Sequence, residues 1–527
     1  MSSRRRLRRV SGASPEINAL LAATLLVATF AALRYRGLWG ETDTSAFTTA
    51  IRAMLAEAQL VPPQFAYPNG YAFPALATFL VRLAGLPPAP LQLSGSALLA
   101  VWLVIPAWLA YRQLTGSARA ATLATAILLV QPEFLFPILR GSHEKFTRGL
   151  IFICLYLLLR SVLSRRQWRR FAAFLLAFYL ALYALITFNN LLATSFIVAL
   201  ALALLLNLLV HRLRPARAGE GEAICRRLFY ATAVALLLAF AFTFYAYAPA
   251  RHSILVAESI ADRLALLLLG LETEAVNPYQ AVAGGWRSLP IYLLVSSANW
   301  LLLFISFLLW STGTFSWWRH RSWPDEPRAL LLWSLYGAFG FLGALSIAVD
   351  VSGAIAGNLQ HRIFPSFAMI AAAVVAGWFV RLRALRPPAR RLAYGALAAA
   401  IALLALAAAA KASNEPSLSN KWTYYTPAEF AALDWAHEAD PQARTWASFD
   451  ERLPAAVTIC CAWESAGRHL DSFRPDPGTR NFLLSDVVRA RSRRLGLPLP
   501  LAGDGLRVYD NGAAEIYHLR PRSPFQR

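Results

Sequence analysis

Residues 171–210 read FAAFLLAFYLALYALITFNNLLATSFIVALALALLLNLLV, forty positions without Asp, Glu, Lys or Arg. A helix rises about 1.5 Å per residue and the hydrocarbon layer of a bilayer is about 30 Å thick, so about twenty apolar residues cross it once. The stretch therefore holds two crossings, 171–187 and 190–210, which nearly touch at Phe188-Asn189-Asn190. Arg169 and Arg170 precede the pair and Arg212 follows it, so both outer ends are basic. Basic loops mark the cytoplasmic side of a membrane helix pair.

Working outward, apolar blocks of similar length recur at 17–33, 91–111, 119–137, 146–163, 228–247, 290–310, 329–349, 363–380 and 392–410. The chain thus reads as an all-α polytopic membrane domain of about eleven transmembrane helices over residues 1–410. The loops alternate in character. Short basic ones contain Arg112 and Arg119; Arg165, Arg166, Arg169 and Arg170; Arg212 to Arg227; Arg319 and Arg321; and Arg381 to Arg391. With the Arg-rich N-terminus they are expected in the cytoplasm, placing the chain in the plasma membrane. No small-residue cleavage site follows 17–33, so this block reads as a retained first helix. The segments 34–90, 138–145, 188–189, 248–289 and 350–362, and everything after Lys411, are then extracytoplasmic. Residues 71–86 are apolar but short and contain Pro74 and Arg82. Counting them as a span would put the Arg clusters outside, so they read as an interfacial or re-entrant helix.

The 527 residues are 57% hydrophobic and 15% charged, whereas a soluble chain carries about a quarter charged residues. The net charge of +22 raises the question of nucleic acid, but the basic residues sit in short clusters between apolar blocks and form no stripe. The four cysteines show no metal-type spacing, and Cys460 and Cys461 are adjacent, a poor geometry for a structural disulfide. Asp, Glu and His are nearly absent from the apolar blocks, which counts against an ion-coupled transporter.

The polar tail, residues 411–527, reads as a small α/β extracytoplasmic domain. Thr426-Pro427-Ala428-Glu429 has the form of a capping box opening a helix to about His437. Arg444 to Phe449 fits a strand, and Asp510-Asn511-Gly512 within 507–519 fits a hairpin.

Four features can carry chemistry. In Glu41-Thr42-Asp43 the two carboxylates, two residues apart, fall on one side of an extended segment. They suit a divalent cation, or one suits a general base; equally, Asp43 or Thr42 caps the helix that follows. That helix carries an apolar stripe at Phe47, Ile51, Met54 and Leu55 and should lie along the membrane surface. Tyr67-Pro68-Asn69-Gly70 is either a plain turn or part of the site. Arg140-Gly141-Ser142-His143-Glu144-Lys145 is unusually polar for a link between two spans. His143 and Glu144 would supply ligands or touch a substrate, or Glu144 would pair with Lys145 or Arg148 in a solvated turn. In Asn358-Leu359-Gln360-His361-Arg362, an Arg at a helix start with free backbone N–H groups suits a phosphate; the alternative is snorkelling to the interface.

These features in this order resemble the GT-C superfamily of membrane glycosyltransferases, which includes protein mannosyltransferases, lipid A aminoarabinose transferases and oligosaccharyltransferase catalytic subunits. Glu41-Thr42-Asp43 occupies the position of the acidic motif in the first outer loop, and Tyr67-Pro68-Asn69-Gly70 that of the following Tyr-Pro-x-Gly segment. Gly141-Ser142-His143-Glu144 is similar to a second acidic motif, but Phe146 stands where its last acid would be. His361-Arg362 resembles the site of the Arg that meets the lipid-linked phosphate. The tail motifs Tyr424-Tyr425-Thr426-Pro427-Ala428-Glu429-Phe430 and Val508-Tyr509-Asp510-Asn511-Gly512 are similar to tails of bacterial and archaeal relatives. The Trp-Trp-Asp-Tyr-Gly motif is absent, which argues against transfer to an Asn sequon.

The resemblance implies a transferase moving a sugar from a polyprenyl-phosphate donor to a glycan, lipid or protein acceptor. Asp43 would act as base or hold a divalent metal such as Mg or Mn, with Glu144 as a second metal ligand. Glu41 would assist, and Arg362, His361, Tyr67, His143 and Glu144 would bind substrate. The competing readings are a lipid or polysaccharide transporter and a non-catalytic membrane protein whose tail binds envelope glycans.

Overall fold

The computed structural model describes residues 15–35, 42–62, 67–164, 168–212, 218–269, 288–320, 326–352, 359–381, 387–412, 425–439, 444–446, 479–495 and 505–519. The paired blocks that open the reading form the helices Trp168–Phe188 and Asn190–Arg212, with only Asn189 between them. Asn189 makes so short a link possible: its Oδ1 accepts the Leu192 N–H at 2.9 Å and caps the second helix.

Among the described residues, nine helices are long and apolar enough to cross a membrane, and the chain is a multi-pass membrane protein. The other two expected spans are helical but depart from plain crossings. The block at 119–137 is not one rod: Ala118–Leu129 and Pro132–Leu139 meet at 77°. Pro132 opens the second piece and holds Gln131 extended, at ψ 115°, because the ring excludes helical geometry from the residue before it. The Gln131 amide donates to the Ile127 carbonyl at 2.9 Å at the break. The block at 146–163 becomes the 19-residue helix Glu144–Val162, which carries Glu144, Lys145, Arg148 and Arg160. A chain this charged is tolerated at such a position because protein surrounds it. Lys145 is fully buried and Arg148 is 2% exposed.

Large side chains such as Leu26, Leu180 and Leu403 stay exposed on the outer faces, whereas Ala100, Ala107, Ala124, Ala199 and Ala371 fill the interior. Small residues inside let helices approach closely, and in a bilayer acyl chains cover the exposed leucines. The segment read as interfacial is the helix Ala72–Ala84, 13 residues and too short to cross. Its Ala77 and Val81 pack on Ile51 of the helix Thr42–Glu57.

In the tail the capping box is formed: the Thr426 N–H donates to Glu429 Oε2 at 2.8 Å and the Glu429 N–H to Thr426 Oγ1 at 3.2 Å. The helix it opens is Pro427–Ala439. The strands are β1 (Arg444–Trp446), β2 (Thr479–Ser485), β3 (Gly505–Asp510) and β4 (Ala514–Leu519), in the order β1-β2-β4-β3. Only the β1–β2 pairing is parallel. The expected hairpin is β3–β4, with Gly512 at φ 87° in its turn, where glycine carries no Cβ penalty. Cys460 and Cys461 lie outside the described residues, as do residues 447–449 of the expected strand.

Candidate active site at the ends of the helices

The helix Thr42–Glu57 begins beside Asp43, whose carboxylate also sits in its first turn. Asp43 Oδ2 is 2.9 Å from Nη2 of Arg140, and the Asp43 side chain is 44% exposed. Arg140 belongs to the short link between Pro132–Leu139 and Glu144–Val162, and that link is held from several sides. Lys145 Nζ donates to the Arg140 carbonyl at 2.7 Å, the Ser142 carbonyl at 3.1 Å and Ser96 Oγ at 2.6 Å. Ser96 Oγ donates to the Arg140 carbonyl at 3.1 Å, and Gln92 Nε2 to the Gly141 carbonyl at 3.2 Å. Gly141 must be glycine because a Cβ there would stand 2.6 Å from both the Gln92 carbonyl oxygen and Thr44 Cγ2.

His143 is the next residue of the link and is buried. Its Nε2 lies 3.2 Å from Asn189 Nδ2 and 3.3 Å from the Tyr67 hydroxyl, and its Nδ1 lies 3.2 Å from Thr147 Oγ1. The tautomer follows from the partners. Asn189 Oδ1 is committed to the Leu192 N–H, so its amide NH₂ faces the imidazole and Nε2 must accept. The Thr147 hydroxyl donates to the His143 carbonyl at 3.1 Å, which leaves Thr147 Oγ1 to accept the Nδ1 proton. The ring is therefore the neutral Nδ1–H form, and burial pushes its pKa down to about 4.

This fixes a pH dependence. The native pKa lies below the ordinary 6.5, so the unfolded chain binds the extra proton first as pH falls. Stability contributed by neutral His143 is complete above about pH 6.5 and drains away as pH falls toward 4, by up to about 3 kcal/mol. Thermal unfolding at pH 7 and pH 4.5 should show this loss, and it should shrink in His143→Gln; an equal loss in both proteins would contradict the assignment.

Tyr67 joins the same group. Asn69 Nδ2 donates to its hydroxyl oxygen at 3.1 Å, and its ring packs edge-on against Phe47 at 4.9 Å. Burial, followed by the nearby Asp43 charge, raises its pKa to about 12, so it remains a phenol. The turn it opens docks on the 188–190 link: the Asn190 N–H donates to the Asn69 carbonyl at 2.6 Å. At Gly70, with φ 152°, a Cβ would meet the Thr187 carbonyl oxygen at 2.2 Å. Gly70→Ala should therefore force this turn off the helix pair and lower the unfolding temperature measurably, whereas Gly85→Ala, where nothing lies within 4 Å, tests the cost of positive φ alone.

Glu144 pairs with Arg148, Oε2 to Nε at 3.2 Å. Arg148 then reaches across the bundle: Nη1 donates to Ser366 Oγ at 2.5 Å and Nη2 to the Arg362 carbonyl at 3.1 Å. Arg362 itself is exposed, and its charge is felt at both Tyr67 and Glu144. The backbone expectation at this helix needs correction. The first two N–H groups of the helix Leu359–Arg381 are not free for a phosphate, because buried Asp350 accepts the Leu359 N–H at 3.0 Å and the Gln360 N–H at 2.9 Å. What this helix start offers is the Arg362 side chain. His361 meets a different carboxylate: its Nδ1 is 3.9 Å from Glu133 Oε2, and Glu133 also pairs with Lys411.

The structure thus brings Asp43, Tyr67, His143, Glu144 and Arg362 around one linked set of contacts, while His361 turns to Glu133. Glu41 and Asn358 lie outside the described residues. Arg140, Asn189 and Asp350 were not singled out from the sequence, whereas Arg148 was read only as a partner of Glu144 in a solvated turn and is in fact buried. Asn189 had one visible signal, an amide in a link too short for an ordinary loop.

The two carboxylates proposed as metal ligands do not fit that role as they stand. Each faces an arginine, and among the described residues no three His, Cys, Asp or Glu side chains converge.

No family model and no curated protein sequence matches the chain. Solved structures do. The oligosaccharyltransferase of Archaeoglobus fulgidus in complex with Zn and sulfate superposes with a TM-score of 0.57 at 12% identity, over 88% of this chain and 68% of that one. The archaeal oligosaccharyltransferase AglB of the same organism, with an inhibitory peptide and a dolichol-phosphate, gives 0.55 at 12% identity over 97% and 74%. ArnT from Cupriavidus metallidurans in the apo state gives 0.51 at 15% identity over 96% and 99%. The helical bundle with its C-terminal α/β unit therefore has the fold of the GT-C membrane glycosyltransferases.

Proposed function

We propose that this chain transfers a sugar from a polyprenyl-phosphate donor to an acceptor hydroxyl at the extracytoplasmic face of the membrane. The observation that carries the reading is that the charges of a half-exposed carboxylate, Asp43, and of an exposed arginine, Arg362, both reach the same buried Tyr67. Asp43 is the general base: its carboxylate takes the proton of the acceptor hydroxyl as that oxygen attacks the anomeric carbon. The bond between that carbon and the phosphate oxygen breaks, and the polyprenyl phosphate leaves with the electron pair. Arg362 faces the charge that develops on it. Tyr67 and neutral His143 border the acceptor side and have no proton to exchange near pH 7.

The helix ends support an extracytoplasmic site. His143 and Asn189 stand at the site ends of their helices, and Thr243, whose hydroxyl oxygen accepts from Asn190 Nδ2 at 3.1 Å, stands just beyond the end of the helix Ala218–Ala241, whereas Arg160, Arg169, Arg170, Arg226 and Arg227 stand at or near the other ends. Basic residues favour the cytoplasm, which supports a site facing away from it and an N-terminus on the cytoplasmic side. Residues 1–410 are the membrane unit and 411–527 the extracytoplasmic one. The dolichol-phosphate named with the archaeal oligosaccharyltransferase supports a lipid phosphate as the leaving group.

The experiment compares envelope glycans and lipids by mass from cells with and without the gene. A glycan or lipid shortened by one sugar mass, restored by the wild-type gene, is expected; identical profiles would oppose the reading.

A further inference from the structure

We infer that Arg140 is the built-in counter-ion of Asp43, and that it takes the place a divalent cation would occupy, so that the site works without a metal. This rests on the transferase reading for its consequence in catalysis, but its central claim concerns cation binding and stands by itself.

Charge is the first ground. A hard divalent cation gathers carboxylate and carbonyl oxygens and needs them unneutralised. Here Arg140 Nη2 already holds Asp43 Oδ2 at 2.9 Å, and Arg148 Nε holds Glu144 Oε2 at 3.2 Å. Arg148 is not free to swing away, since its other two nitrogens are committed to Ser366 and the Arg362 carbonyl. Lys145 fixes the link by its three oxygen contacts, although burial and the neighbouring Arg140 lower its pKa to about 7. The described part of the site therefore places Arg140, Arg148 and Arg362 against Asp43 and Glu144. An arriving divalent cation meets this excess of positive charge, whereas an arriving phosphate is attracted by it.

Rigidity is the second ground. Arg140 stands on a carbonyl fixed by both Lys145 and Ser96, and Gly141 behind it is wedged between Gln92 and Thr44. A guanidinium held this way keeps the Asp43 carboxylate aimed, which is the orienting work a metal does elsewhere. Arg140 is thus a positioning residue that acts through Asp43, without exchanging a proton.

The full chain in lipid nanodiscs, stripped with EDTA, is titrated with Mn²⁺ and then Zn²⁺ and followed by calorimetry and, for Mn²⁺, by electron paramagnetic resonance. No stoichiometric site that disappears in Asp43→Asn is expected; such a site at micromolar affinity would overturn the proposal whether or not the chain transfers sugar. In parallel, transfer is measured on lipid extracts. Wild-type activity should be unchanged by EDTA. Arg140→Gln should lower kcat at least tenfold with KM for the lipid donor changed less than threefold. Arg140→Lys should retain more activity than Arg140→Gln, and added guanidinium should partly restore Arg140→Ala while Mn²⁺ does not. Loss of wild-type activity in EDTA with recovery on Mn²⁺ would overturn the proposal. Absence of transfer by wild type under every condition would instead defeat the transferase reading, and the titration would still decide the cation question.

Discussion

Asp43→Asn is expected to lower sugar transfer at least about a hundredfold, the usual contribution of a positioned general base, while leaving thermal unfolding close to wild type. The two halves of this result have separate causes. Asparagine keeps the shape of the side chain and an oxygen for Arg140, but it can neither accept the acceptor proton nor carry the negative charge. The stability cost is small because the pair is partly open to solvent, with Asp43 44% exposed. Ion pairs of that kind contribute about 1 kcal/mol or less. The check is transfer per folded molecule, with the unfolding temperature measured on the same preparation. Full transfer by a normally folded variant would remove Asp43 from the mechanism.

Arg148→Met should produce the opposite pattern, a large loss of stability. Arg148 is 2% exposed and ties the helix Glu144–Val162 to the helix Leu359–Arg381 through Ser366 and the Arg362 carbonyl. Methionine fills similar volume but leaves the Glu144 carboxylate, 12% exposed, without its counter-ion. Breaking a buried pair by removing one partner costs about 3–5 kcal/mol, mostly through the charge left behind. The double variant Glu144→Gln with Arg148→Met should therefore be more stable than Arg148→Met alone, although it carries one more substitution. A double-mutant cycle on thermal or denaturant unfolding measures this. A single variant as stable as wild type would show that the pair does not join the two helices.

What could be read from the chain before its structure divides along physical lines. Spans are legible because about twenty apolar residues have a single meaning in a bilayer, and all eleven blocks are helical. The capping box at Thr426 and the hairpin at Asp510-Asn511-Gly512 were legible because local hydrogen bonds and turn geometry decide them. The bend at Gln131-Pro132 was missed because apolar content alone does not register a proline among hydrophobic neighbours. In the site, Asp43 and Glu144 stood out as carboxylates near helix ends, and the i,i+4 spacing offered Arg148 as a partner of Glu144, but Arg140 did not stand out as the partner of Asp43. Arg140 is 97 positions from Asp43, and Arg148 meets a carbonyl 214 positions away, so only the fold could show those contacts. Asp350 likewise caps a helix that begins nine residues later, and this turned an expected phosphate cradle into a closed helix end.

The central claim is that the group around Asp43 moves a sugar off a lipid phosphate. It is tested most directly by mass balance. Purified wild-type and Asp43→Asn chains in nanodiscs are each given the polyprenyl-phosphate lipids extracted from the native membrane, and the lipids are followed by mass spectrometry. The account predicts that wild type converts one polyprenyl-phosphate sugar to polyprenyl phosphate as an acceptor gains the same sugar mass, and that Asp43→Asn leaves the donor intact. Equal conversion by both chains, or none by either in the presence of the native lipids and acceptors, would contradict it.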